Sequence, residues 1–212
     1  MKNDIIPEVV DQVPSQNIPY TITIPGNHNT LIDRASNVNL IVNNIPLGRR
    51  GISTVQNIPV SICSDFYNLF VIGGETFEND HFLVPKDRAL NENSTSFEIR
   101  DKLNSLSPEA ILKIRSFPSI FASENHRYGK TDDMQTAIYG FVTDIKIQDN
   151  GIKIYYACLN YIPQQRLNEL AFELGIKGTS ALNELNRTHW AIKKINLVEA
   201  LRDAGIPVLS YQ

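Results

Sequence analysis

Apolar and polar positions alternate in short runs along the first part of the chain. Residues 20–24 alternate and are stopped by Pro25-Gly26-Asn27. Val38, Leu40 and Val42 share one face of a second run, which Asn43-Asn44-Ile45-Pro46 and Gly48 close. Residues 58–63 follow, then residues 69–72 before Gly73-Gly74, then residues 81–84 before Pro85. No helical period is evident before about residue 100. Short β-type runs separated by Pro, Gly and Asn stops predict a β-rich N-terminal half, built as a small sandwich, barrel or roll.

The stretch Asn91-Glu92-Asn93-Ser94-Thr95-Ser96 is polar, rich in small residues and bounded by apolar segments. It divides the chain into residues 1–95 and residues 96–212, as two domains or as two parts of one. The pattern changes after it. Ser107-Pro108 opens a helix with proline at its first position, Ile111 and Ile114 lie on the buried face, and Phe117-Pro118 ends it. Tyr139, Phe141, Thr143, Ile145 and Ile147 alternate, and Asn150-Gly151 supplies the residues of a type I′ hairpin turn. That turn pairs Ile147 with Ile154, Ile145 with Tyr156 and Thr143 with Cys158. Asp144, Lys146, Gln148, Lys153 and Tyr155 are left on the solvent side. Leu167, Leu170, Ala171 and Leu174 repeat at helical spacing between Pro163 and Gly175. Leu197, Ala200, Leu201 and Ala204 do the same, with Asn196 and Glu199 as an N-terminal cap and Gly205-Pro207 as the stop. The second half is therefore predicted as α+β, a β-hairpin with about three helices.

Composition narrows the class. The chain has 212 residues, 42% apolar and 20% charged, with a net charge of -3. These are the proportions of an ordinary globular chain, and they exclude collagen, coiled coil and low-complexity disorder. Without a bulk basic field, strong non-specific nucleic-acid binding is not expected. Asp4 and Pro7 interrupt the N-terminus before any apolar stretch begins, against a signal peptide, and no apolar run approaches membrane-spanning length. Cys63 and Cys158 sit in apolar runs and read as buried thiols. A cytoplasmic protein that needs no membrane is the expectation. Isoleucine and asparagine are over-represented, which fits an AT-rich genome.

Motifs that would announce chemistry are missing from the sequence. It contains no Cys-x-x-Cys, no His-Glu-x-x-His and no phosphate-binding Gly-x-x-x-x-Gly-Lys-Ser/Thr, so neither a metal nor a cofactor is expected. Carboxylates do not fall at metal-nuclease spacing. Gly73-Gly74-Glu75 lacks the spacing of a dinucleotide turn, and the polar loop around His28 reads as side-chain-stabilised turns. Two segments remain as binding candidates. In the stretch from Glu124 to Asp133, His126, Arg127 and Lys130 could hold an anion. In Asn186-Arg187-Thr188-His189-Trp190, Arg187, His189 and Trp190 could form a recognition surface, while Trp190 reads equally as a core anchor.

From Phe117-Pro118-Ser119-Ile120-Phe121-Ala122, through Tyr139-Gly140, to Asn186-Arg187-Thr188-His189-Trp190-Ala191-Ile192-Lys193, the chain resembles poorly characterised bacterial segments. These segments are associated with anti-phage defence loci, sometimes beside TIR-type domains. The resemblance covers residues 108–205 and carries no catalytic residue. Together with the missing catalytic and metal motifs and the mild charge, it points to a non-enzymatic binding or accessory module of a bacterial multi-component system, and the β-rich half is expected to meet a protein partner through an exposed edge strand. One alternative is a hydrolase or nuclease acting on a nucleotide or phosphate ester, with His126 or His189 as acid or base and Arg127 or Arg187 on the phosphate. The other is a structural protein of a phage or mobile element.

Overall fold

The computed structural model describes residues 62–208 apart from 128, 129, 133, 180 and 181, together with two short strands, β1 (Ile22–Thr23) and β2 (Thr30–Leu31). The latter pair antiparallel. The runs predicted at residues 37–42 and 58–61, the rest of residues 20–24 and the loop around His28 lie outside the described residues. The main body is one sheet built from β3 (Tyr67–Ile72), β4 (His81–Val84), β5 (Pro118–Ser123), β6 (Thr136–Gln148), β7 (Gly151–Pro163) and β8 (His189–Lys193). Their spatial order is β4-β7-β6-β5-β3-β8. Every pairing is antiparallel except β3 with β5, which run parallel. With four α-helices alongside, the described chain is α+β.

Periodicity explains the layers. All six residues of β3 are buried, which a strand achieves only when both faces of its sheet are covered. Tyr67, Leu69 and Val71 go to one face, and Phe70 and Ile72 to the other. On the latter face lie α1 (Phe97–Leu103) and α2 (Pro108–Arg115), which contribute Leu103, Ala110 and Ile114. A ladder of rings crosses three neighbouring strands there, with Phe121 stacked on Phe70 at 5.3 Å and Phe70 on Trp190 at 5.1 Å. The opposite face is covered by α3 (Gln164–Glu169), by α4 (Leu197–Asp203) and by Leu174, Ile176 and Leu185.

Both N-caps expected of α2 and α4 are present. Ser107 Oγ accepts from Ala110 N at 3.3 Å, and Asn196 Oδ1 accepts from Glu199 N at 3.2 Å. Gly205 takes φ +72° after α4, with Ile206 N bonded to Leu201 O and Gly205 N to Arg202 O, the paired closure of a Schellman end. The third helix is shorter than its spacing predicts. It stops at Glu169, and the chain continues in turns to Gly175 at φ +61°, with Leu167 and Leu174 still buried.

The hairpin forms in a different register from the expected one. Gln148 pairs with Gly151, so the two loop residues are Asp149-Asn150, and neither has positive φ. Ile145 therefore faces Ile154, and Ile147 faces Ile152. Gly151 is the first strand residue, at φ +155°, where a Cβ would stand 2.9 Å from Val84 O. Two register shifts, at Tyr139/Gly140 and Val142/Asp144, break the single alternation read from the sequence. At Gly140 a side chain would collide with Ala157 O, only 1.9 Å from its Cβ, so glycine is required at the first shift. Thr143, at the second shift, is consequently exposed; Ile145 stays in the core, and Ile147 shares its face but is exposed at the hairpin tip.

β3 and β4 do not close into a sandwich, barrel or roll of their own. They are interleaved with strands from beyond residue 96. The polar stretch of residues 91–96 runs along the outer edge of β8. Asn91 N bonds to Trp190 O at 2.9 Å, and Ile192 N bonds to the buried Thr95 Oγ1 at 3.1 Å.

Candidate functional site

The parallel pair β3/β5 sets the location. Both strands end at the same margin of the sheet, where the chain leaves for loops, and such carboxyl ends are where open sheets with parallel strands commonly bind ligands. β3 ends at Gly73-Gly74, and Gly73 N donates to Thr188 Oγ1 at 2.8 Å. Thr188 Oγ1 in turn donates to Glu124 Oε1 at 2.5 Å, just beyond β5. A Cβ on Gly73 would stand 3.0 Å from the Glu124 carboxyl, so the glycine lets that carboxylate approach. Ser123 Oγ closes the corner by donating to Glu75 O at 2.5 Å.

The polar loop after β5 is pinned from two sides. Asn125 N bonds to Leu185 O at 2.8 Å, and Asn186 Nδ2 donates to Arg127 O at 3.0 Å. Toward α3, Thr131 N donates to Gln165 Oε1 at 3.1 Å, and Gln135 Nε2 donates to Glu124 O at 2.9 Å. Beneath the loop lies a web of amides. Asn125 bonds Gln164 and Asn168, and Asn183 Nδ2 donates to Asn168 Oδ1 at 2.8 Å. Within the loop, His126 Nδ1 meets Asp132 Oδ2 at 2.8 Å, and this hydrogen bond holds the Asp132 carboxyl below its usual range. His126, Arg127, Lys130, Thr131 and Asp132 line a cleft of about 300 Å³.

The structure separates the six sequence candidates. His126, Arg127 and Lys130 are exposed and share the cleft. Arg187 is exposed beside Asn186, the residue that tethers Arg127, so it stands near the loop without lining the cleft. His189 and Trp190 are buried in β8 and, as strand neighbours, point to opposite faces. Trp190 belongs to the aromatic core, with its Nε1 donating to Asn68 Oδ1 at 3.3 Å, and forms no surface. His189 Nδ1 donates to Arg187 O at 2.8 Å, which fixes the tautomer that carries hydrogen on Nδ1. Burial pushes its pKa down, so the ring is neutral near pH 7.

A buried ion pair on the same face was missed from sequence. Lys193 Nζ donates to Glu184 Oε2 at 2.5 Å, and both side chains are more than nine-tenths buried. Burial lowers the Lys193 pKa while Glu184 opposes that shift. Tyr67 lies on this face too, its hydroxyl donating to Leu174 O at 2.6 Å and its pKa raised by burial and by Glu184. A lysine inside the apolar run Trp190-Ala191-Ile192-Lys193 was the available signal, because a cation buried in a strand requires an acidic partner. Among the described residues no His, Cys, Asp and Glu side chains converge as a metal site, and no helix is long and apolar enough to cross a membrane. Compared with known proteins, the chain matches no family model, no curated protein and no solved structure.

Proposed function

We propose that this chain is a binding or accessory module of a bacterial multi-component system, and that it meets an acidic protein partner through the loop after β5. One observation carries the reading. Arg127, Lys130 and Arg187 stand exposed on tethered backbone, and none has an acidic partner among the described residues. Cations without acidic partners among the described residues, carried on hydrogen-bonded backbone, suit recognition, since little backbone entropy remains to be lost on binding. The resemblance of residues 108–205 to segments of defence loci supports the setting. The test is co-expression with the proteins encoded beside the gene, followed by co-purification. Arg127→Glu and Arg187→Glu are expected to abolish the complex at an unchanged melting temperature. Complexes that survive both reversals at physiological salt would remove this face from the reading.

A second reading, a hydrolase acting on phosphate esters, draws on His126. Its ring is oriented by Asp132, and its Nε2 has no partner among the described residues, the arrangement of a general base. Turnover of a phosphodiester substrate that is lost in His126→Ala would favour it. Equal turnover in wild type and variant would reject it.

A further inference from the structure

We infer that the cleft between His126 and Asp132 is a receptor for a single phosphate group, held between Arg127 and Lys130. The inference rests on the binding-module reading and specifies what the loop recognises. Arg127 and Lys130 exchange both backbone hydrogen bonds, Arg127 N to Lys130 O at 3.3 Å and Lys130 N to Arg127 O at 3.4 Å. Such reciprocal bonding defines a directly opposed pair, with Cα atoms roughly 5.5 Å apart and side chains on the same side. Two cations in that position repel each other. The fold nevertheless fixes them there, anchoring Arg127 O through Asn186 and the next residue, Thr131, through Gln165.

An anion placed between the two relieves the repulsion and gains charge-assisted hydrogen bonds from both. The guanidinium offers a planar fork and the ammonium a point charge, a combination suited to a tetrahedral oxyanion. Asp132 does not defeat the site, because its carboxylate is engaged by His126 Nδ1. At about 300 Å³ the cleft is at the small end of ligand sites, large enough for a phosphate and part of what carries it. The phosphate could be borne by a free nucleotide or by a phosphorylated side chain of the partner, and the chemistry at the cleft is the same for both.

The experiment is calorimetric titration of the full chain with inorganic phosphate, adenosine monophosphate and a phosphoserine peptide, in wild type, Arg127→Gln, Lys130→Gln and Lys146→Gln. The last variant alters an exposed lysine on the hairpin, away from the cleft. All three probes are expected to bind wild type and Lys146→Gln alike, and each cleft variant to weaken binding about tenfold or more, the equivalent of one charge-assisted hydrogen bond. The probe that binds tighter than inorganic phosphate identifies the source. Absence of binding to wild type at millimolar phosphate, or binding that both cleft variants retain, overturns the inference. Melting temperatures equal to wild type confirm that the variants are folded. If the cleft variants lose the protein partner while phosphate never binds, the inference fails and the binding-module reading stands. If phosphate binds as expected but Arg127→Glu and Arg187→Glu leave the partner complex intact, the reverse holds.

Discussion

Trp190 is the largest fully buried side chain, and its surroundings show why adjacency in sequence misleads about sites. In a strand covered on both faces, neighbours diverge. Trp190 joins Phe70 and Asn68 on one side, while His189 faces the polar cluster on the other. Asn68 is fully buried yet satisfied, giving its Nδ2 to Ile114 O and Ser119 Oγ and accepting from the indole. Trp190→Ala is therefore expected to cost about 3–5 kcal/mol through the cavity it leaves, with an added penalty for the stranded Asn68 oxygen. Urea unfolding measures this directly. A variant with a wild-type midpoint would contradict the core placement. Arg127, Lys130 and His126 were legible as a polar cluster because local spacing alone brings them together. Arg187 reaches the same region only through the fold, by way of Asn186.

Elements whose ends carry their own chemistry were the most legible. α2 and α4 start and stop where Ser107-Pro108, Asn196 and Gly205 place them, because caps act within a few residues. The hairpin was legible as an element but not in its register. Asn150-Gly151 favours a two-residue turn, yet Gly151 is used instead to let β4 pass close, and Gly140 admits a register shift that no local pattern announces. The faces near the tip survive the correction, because the register moves by two residues and strand period is two. Ile145 is buried opposite Ile154, and Lys146 is exposed opposite Lys153. Ile145→Asp is expected to destabilise the chain by about 3 kcal/mol or more, as an unpartnered buried carboxylate. Lys146→Asp should remain within about 0.5 kcal/mol, since its contact with Asp144 is a solvent-exposed pair. Paired thermal melts decide it, and equal losses would mean that the faces are misassigned.

At the scale of the molecule, the sheet order was beyond the reach of sequence patterns. β3 pairs with β5 and β8, more than 40 and 110 residues away, and its two-sided burial shows only that something covers both faces. The same long-range packing buries His189 and brings Glu124 near two charges close to it in sequence, Glu184 and Lys193. Arg187 O accepts from its Nδ1, and Glu184, Lys193 and Glu124 surround it electrostatically. Burial is the largest influence and lowers the imidazole pKa below its ordinary value of about 6.5. When pH falls below about 6.5, the unfolded chain takes up a proton at this residue while the folded chain does not. Unfolding is then favoured, so stability declines through the window between the unfolded and folded pKa values and levels off below the latter. Above about pH 8 the ring is neutral in both states and contributes almost no slope. The slope from one such group cannot exceed about 1.4 kcal/mol per pH unit. Urea unfolding of wild type and His189→Gln at intervals from pH 7.5 to pH 5 isolates it, because glutamine keeps a donor for Arg187 O and does not titrate. The variant is expected to lose stability less steeply than wild type across that range, and parallel curves would place His189 in water rather than in the core.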